Sequence, residues 1–275
     1  VGEQGNITPG QVRDAIRDDT CLVTVMYANN EVGSILPIGE IGAVCRERGI
    51  LFHTDAVQAV GHLPVSVAEQ NIDMLSLSAH KFHGPKGVGA LYVKKGILLT
   101  NLIEGGAQER GRRAGTENVP AIVGMAAALK ECSAHLEEIS SRVQAMRDKL
   151  IAGLSQIPHS TLNGDSKHRL PGNVNFSFEG VDGETLLVLL DSKGICASAG
   201  SACTSGSLDP SHVLLALGRP REIANSALRL TLSDYNTEEE VASIIREVTA
   251  AVECLRDRSP SWKAKLRGTE KFILP

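Results

Sequence analysis

An α/β fold with a mostly parallel sheet, followed by a smaller C-terminal α+β domain, is what the sequence predicts. Three observations predict it. Short apolar runs alternate with helical patterns between Leu22 and Val93. A long helical stretch follows with no proline after Pro120. Beyond it, strand and helix patterns resume around a Gly/Ser-rich loop.

The elements follow in order. Leu22–Ala28 (LVTVMYA) is apolar enough for a buried strand. Ile38, Ile41, Val44 and Cys45 recur at helical spacing, so Ile38–Arg48 reads as a helix that Gly49 ends. Leu51–Val57, Met74–Ala79 and Gly89–Val93 are three further strands, and the crossovers between strands imply parallel pairing. Glu117 to Ile157 predicts a long helix with room for one break. Asn173–Phe178 is a strand, Gly183–Asp191 a helix and Ile195–Ala197 a short strand. The loop Ser198–Pro210 comes next, then a short helix at Ser211–Leu217 and a strand at Ala227–Leu232. The last helix, Thr237–Arg256, opens on Thr237 and Glu240, the spacing of a capping box. Residues 1–130 are then part of a larger domain, 131–160 a linking helix and 161–257 a small domain. Residues 258–275, with Trp262, form a tail to which the sequence assigns no role.

Composition excludes some functions. The chain has 275 residues, is 42% hydrophobic and carries a net charge of −4, with acids and bases interspersed. No nucleic-acid groove or membrane-binding face is expected. No apolar run reaches transmembrane length, and at 3% aromatic residues a base-stacking surface has little to build from. Six cysteines occur without a CxxC pair, which gives a structural zinc site little support. Cys21 and Cys45 lie in apolar segments and are expected to be buried. The scattered usage suits a reducing cytoplasm.

Ligands of an open parallel sheet bind beyond the carboxyl ends of its strands. Polar residues gather there: Asn29 and Asn30 after the first strand, Asp55 and Gln58 at the second, and Ser78, His80 and Lys81 at the third. Lys81 follows a buried strand in SAHKFHGPKGVG, where glycines permit close backbone approach. A desolvated lysine forms Schiff bases readily, although a surface lysine is the plain alternative. Asp55 suits a protonated aromatic nitrogen, or else caps a helix. Cys203 sits in CASAGSACTSGSLDPSH, a setting for an exposed nucleophilic thiol, with Cys196 as the structural one. Arg229, inside ALRLTL, wants a carboxylate, either a substrate's or an internal one.

Taken in order, MYANNEVGSILPI, HTDAVQAVG, SLSAHKFHGPKGVGALYV, GGAQERGRRAGTEN, SAGSACTSGSLDPSHVL and ALRLTLS resemble the NifS/IscS-like cysteine desulfurases of the class-V aminotransferases. The resemblance runs to about Arg256. It implies PLP-dependent transferase fold type I, a homodimer, and conversion of L-cysteine to L-alanine with sulfur left as a persulfide. It matches Lys81 to the Schiff-base lysine of pyridoxal 5'-phosphate, Asp55 to the acid at the pyridine nitrogen and Gln58 to the group beside the ring hydroxyl. Asn30 matches the contact to cofactor and substrate carboxylate. Ser78 and His80 match positions around the phosphate, and Thr116 the phosphate contact from the other subunit. Arg229 matches the carboxylate clamp and Cys203 the persulfide cysteine. The long TSGSLDPSHVL looks like the subgroup that hands sulfur to iron–sulfur scaffold proteins, so Cys203 is also a candidate ligand of a transient cluster shared with a scaffold. Selenocysteine lyase and an inactive module that only dimerises or docks on a scaffold are the alternatives. The family has on the order of a hundred residues ahead of the point where this chain begins. They include a phosphate-cradling Gly/Thr turn and a ring-stacking His, so the expectation is a fragment with an incomplete sheet.

Overall fold

The structure, a computed structural model, describes residues 1–200 and 209–275. The described chain forms two compact units, passing from one to the other after Ile7, Tyr27, Leu36 and Leu136.

The first unit holds Thr8–Tyr27 and Pro37–Leu136. Helix α1 (Pro9–Ala15) opens with a capping box, in which the Thr8 hydroxyl accepts from the Gln11 N–H and the Gln11 side chain returns to Thr8 N–H. Sequence reasoning missed this helix. Strand β1 (Leu22–Met26) precedes α2 (Ile38–Arg48), which has the predicted bounds and stops at Gly49 in the left-handed conformation, φ 68°. Its predicted apolar stripe of Ile38, Ile41, Val44 and Cys45 is buried. Strands β2 (Leu51–Asp55), β3 (Met74–Ser78) and β4 (Gly89–Val93) complete a sheet of order β1-β2-β3-β4. The first three strands are parallel and β4 is antiparallel to β3. Crossovers longer than a hairpin permit the parallel pairs, and the connection from β3, which contains a 3-10 turn, returns β4 along its neighbour. A short α3 (Gln108–Gly111) contains Glu109 and Arg110 at positive φ, and α4 (Val119–Ala134) begins under an Asn118 cap.

Within this sheet, one face carries Leu22, Thr24, Met26, Leu51, His53, Asp55 and Ser76, as the register dictates. Leu22, Met26 and Leu51 are exposed there. Cys21, expected to be buried, is exposed, because it lies one residue ahead of β1 and outside its ladder.

The second unit holds Val1–Ile7, Ala28–Leu36 and Glu137–Pro275. The long predicted helix breaks at His135, and α5 (Leu136–Leu154) runs on into this unit. Strands β5 (Ser160–Leu162), β6 (Asn173–Phe178) and β7 (Ala227–Thr231) form an antiparallel sheet of order β5-β6-β7. Helix α6 (Gly183–Asp191) has the predicted bounds, and α7 (His212–Ala216) and α8 (Arg221–Asn225) follow. Helix α9 (Glu238–Arg258) carries the predicted Thr237–Glu240 capping box, and α10 (Pro260–Leu266) occupies the tail.

The predicted strand at Ile195–Ala197 does not form. The chain turns at Gly194 (φ 76°) and meets β7 only at Ser198, whose N–H and carbonyl both pair with Arg229. One bridge is too little for a strand, and Cys196 is exposed rather than structural.

Strand β6 is buried on both faces. Val174, Phe176 and Phe178 join Met146, Leu150, Leu154, Leu186, Leu190, Val248 and Val252 in the core. The opposite face is polar. The Asn163 amide donates to Asn175 Oδ1 and Ser177 Oγ, both at 2.9 Å, and Asn175 Nδ2 donates to the Glu31 carbonyl at 3.1 Å. The period of two therefore separates an oily side from an amide-rich side that receives residues 28–36. Arg169 fastens that segment. Its buried guanidinium donates to the carbonyls of Val32, Asp165 and Asn173 at 3.0–3.1 Å. Burial and the nearby Arg147 charge lower its pKa to about 10.

The tail folds back onto this unit. Glu179, fully buried, accepts from Lys265 Nζ at 2.6 Å and from the N–H groups of Ile273 and Leu274. Arg256 lies 4.0 Å over the Trp262 ring and donates to the Glu179 and His159 carbonyls. His159 stacks on Phe272 at 3.8 Å.

Candidate active site

In the first unit the carboxyl ends of the parallel strands β2 and β3 lie side by side, with Asp55 opposite Ser76. Asp55 closes β2. Its carboxylate is exposed, and Oδ1 accepts the Val57 N–H at 3.0 Å, an Asx turn that aims the following residues. Half-buried Gln58 sits in that turn.

Strand β3 leads directly into a 3-10 turn at Ala79–Phe82 that carries His80 and Lys81. The turn is held on several sides. Ala79 N–H donates to the Val88 carbonyl and Gly84 N–H to the Ala79 carbonyl. His83 ends the turn at φ 64°. His62 Nε2 donates to the Lys81 carbonyl at 2.9 Å. Phe82 is buried, and a Cβ on Gly61 would stand 2.5 Å from its Cβ, so only glycine lets the two backbones approach. Lys81 is half-buried at the centre of this clamped turn. Ser78 Oγ and His80 Nδ1 share a hydrogen bond of 2.8 Å beside it. Thr116 is exposed in the same unit.

Asn30 and Arg229 belong to the second unit, and they meet there. Arg229 Nη1 donates to the Asn30 backbone carbonyl at 3.1 Å. The sequence pointed to the Asn30 side chain, whereas the contact uses its main chain. Neighbouring Glu31 is buried and accepts from the Ser211 hydroxyl that caps α7. Sequence reasoning passed over Glu31, and a carboxylate directly after two strand-end asparagines was its only signal.

The predicted residues therefore form two groups: Asp55, Gln58, Ser78, His80 and Lys81 at adjacent strand ends of one unit, and Asn30 with Arg229 in the other. Cys203 lies outside the described residues. Among the described residues no group of His, Cys, Asp and Glu is arranged to hold a metal ion, the five cysteines are free thiols, and no helix is long and apolar enough to cross a membrane.

The donor set suits a phosphorylated pyridine aldehyde. An amine on a clamped turn, a carboxylate at the adjacent strand end, and a hydroxyl–imidazole pair beside the amine are the groups that an aldehyde, a ring nitrogen and a phosphate each require.

Comparison with known proteins follows the same line. The aminotransferase class-V family profile matches residues 1–244. The chain is 54% identical over 260 residues to cysteine desulfurase IscS of Methanosarcina thermophila, covering 94% of this chain and 64% of the relative. It is 50% identical over 274 residues to cysteine desulfurase IscS of Clostridium botulinum, covering 98% and 69%. A solved NifS-like protein superposes with a TM-score of 0.84 at 38% identity, over 92% of this chain and 67% of that one. The chain spans about two thirds of the length of the curated relatives it matches.

Proposed function

The chain belongs to the aminotransferase class-V family, in its IscS/NifS-like cysteine desulfurase branch, and from that premise we propose that it takes sulfur from L-cysteine with pyridoxal 5'-phosphate as cofactor. The observation that carries this reading is the pairing of adjacent strand ends, one bearing the Asp55 carboxylate and the next running into the turn that holds Lys81.

Lys81 would hold the cofactor, with Asp55 at its ring nitrogen, Gln58 beside its ring oxygen, and Ser78 and His80 at its phosphate. Thr116 would serve the phosphate of a second copy in a homodimer. When bound, the cofactor supplies a protonated conjugated ring that accepts electron density from the substrate α-carbon. The Asp55 carboxylate holds the proton on that ring nitrogen. The Lys81 amine removes the α-proton and returns it. Arg229 binds the substrate carboxylate, and the Asn30 carbonyl fixes the angle of the guanidinium. Cys203 attacks the substrate sulfur as a thiolate. The sulfur–sulfur bond forms as the carbon–sulfur bond breaks with its electron pair left on carbon, the proton of the substrate thiol ends on that carbon, and L-alanine leaves while Cys203 becomes a persulfide. A scaffold or other acceptor protein of a reducing cytoplasm would then receive the sulfur. In this reading most of residues 1–130 are part of the cofactor domain, with Val1–Ile7 and Ala28–Leu36 belonging to the other unit, 161–257 the small domain with the persulfide loop, and 131–160 the helical link.

Borohydride reduction after cofactor addition, followed by peptide mass mapping, tests the assignment. The cofactor mass is expected on the Lys81 peptide and is lost in Lys81→Ala. Cys203→Ala is expected to keep that label and to form no persulfide on incubation with L-cysteine. A label on another lysine, or a persulfide formed without Cys203, overturns the reading.

A further inference from the structure

Beneath Asp55, on the same face of the first unit's sheet, three polar side chains from three adjacent strands form a row. The register sets Thr24 opposite His53 and Ser76 opposite Asp55. The His53 ring spans the two gaps, with Nδ1 2.6 Å from Thr24 Oγ1 and Nε2 2.8 Å from Ser76 Oγ. Both ring nitrogens are thus engaged, and the imidazole is fixed across β1, β2 and β3.

This row is out of keeping with its surroundings. Leu22, Met26, Leu51 and Leu91 occupy other positions of the same face. A purely structural role at 24, 53 and 76 would be met by apolar β-branched residues, which suit a pleated surface better. The two hydroxyls can each donate or accept, so they grip the ring at both nitrogens and fix its place across the three strands. Burial lowers the His53 pKa, against the raising influence of the Asp55 carboxylate. Asp55 is the charged group on the same strand, whereas β1 and β3 present the Thr24 and Ser76 hydroxyls.

Two cations could partner Asp55: an imidazolium two residues back along its own strand, or a protonated ring beyond the strand end. A charged His53 would compete for the carboxylate. We propose that His53, gripped by Thr24 and Ser76, is a positioning residue for Asp55, keeping the floor beneath the carboxylate rigid and uncharged so that its negative charge serves a cationic ring nitrogen. This rests on the cofactor role of Asp55 argued above. The ring nitrogen could belong to pyridoxal phosphate or to any protonated N-heteroaromatic ligand of that rim.

The test reads His53 itself. In the full chain without added ligand, the imidazole ¹⁵N shifts are expected to report one fixed neutral tautomer. Thr24→Val and Ser76→Ala are each expected to release it, and Asp55→Asn to shift it. A His53 signal that averages between tautomers, or that ignores Asp55→Asn, overturns the proposal. With pyridoxal 5'-phosphate added, His53→Leu is expected to weaken binding about tenfold, the loss that follows from removing both bonds of a partly buried polar group. His53→Gln, which can still donate and accept, is expected to stay close to the parent. Equal affinity in His53→Leu overturns the proposal. If the parent chain binds no pyridoxal phosphate, the functional reading fails, and the ligand-free measurements alone decide whether His53 is coupled to Asp55.

Discussion

At the scale of single residues, the polar side chains divide into those with partners and those without. Thr54 is fully buried in β2, and its hydroxyl has no hydrogen-bond partner among the described residues. An orphaned hydroxyl in an apolar setting costs free energy that valine, of the same shape, does not. Thr54→Val is expected to raise stability by about 1 kcal/mol, measured as a shift in urea midpoint at unchanged slope. Gly61 gives the opposite result. It sits at φ 84° with Phe82 against it, so Gly61→Ala combines backbone strain with overpacking. It should cost about 2 kcal/mol and loosen the Lys81 turn, lowering cofactor uptake more than global unfolding alone explains. The strand-end placement of Asp55 and Lys81 was legible in the sequence, because each closes or directly follows an apolar run of strand length. The partner of Arg229 was not. It is a backbone carbonyl 199 positions away, and a carbonyl leaves no mark in the residue type.

At the scale of elements, the predicted bounds of α2, β4, β6 and α6 hold, because each is bracketed by a local signal such as Gly49 or the Asp182 cap. Strands β1, β2 and β3 end earlier than predicted, since Ala28, Ala56 and Ala79 continue the apolar run and are buried but leave the ladder, Ala28 to bridge Ile35 and Ala79 to open the 3-10 turn. The tail was opaque to sequence because its anchor, Glu179, lies 86 residues from Lys265. Burial would raise the Glu179 pKa, but the Lys265 ammonium and the Ile273 and Leu274 N–H groups outweigh it and hold the group below its ordinary 4.5. Glu179 therefore stabilises the tail above pH 4.5, and this is lost as pH falls through its folded value. Lys265 is held above its ordinary 10.5, so its contribution is complete below that pH and is lost as pH rises through the raised value. Trp262 is the single tryptophan, so its emission reports the tail alone. A red shift is expected at both extremes of pH. Glu179→Gln should produce the same shift at neutral pH, with a loss of about 2 kcal/mol, since Lys265 loses its buried carboxylate but keeps Glu222 at 2.8 Å.

At the scale of the whole molecule, the second unit is stitched from three separate stretches of chain. Composition and periodicity announced the two kinds of sheet but not this stitching, which depends on the polar face of β6 and on Arg169. Arg169→Leu removes the donors that hold Val32, Asp165 and Asn173, leaving their buried carbonyls without them. A loss of about 3 kcal/mol is expected, with amide exchange rising first in residues 28–36. Uniform acceleration of exchange across the unit would contradict the view that Arg169 acts as a local fastener. The seam also sets an order of events at the ribosome. Val32 emerges 137 positions before the arginine that secures it, and Asn30 emerges 199 positions before Arg229. Throughout that interval Val32 and Asn30 lack these two guanidinium donors, and closing so wide a loop is slow. The contact between Arg229 and Asn30 is thus made last, only after β7 has been synthesised.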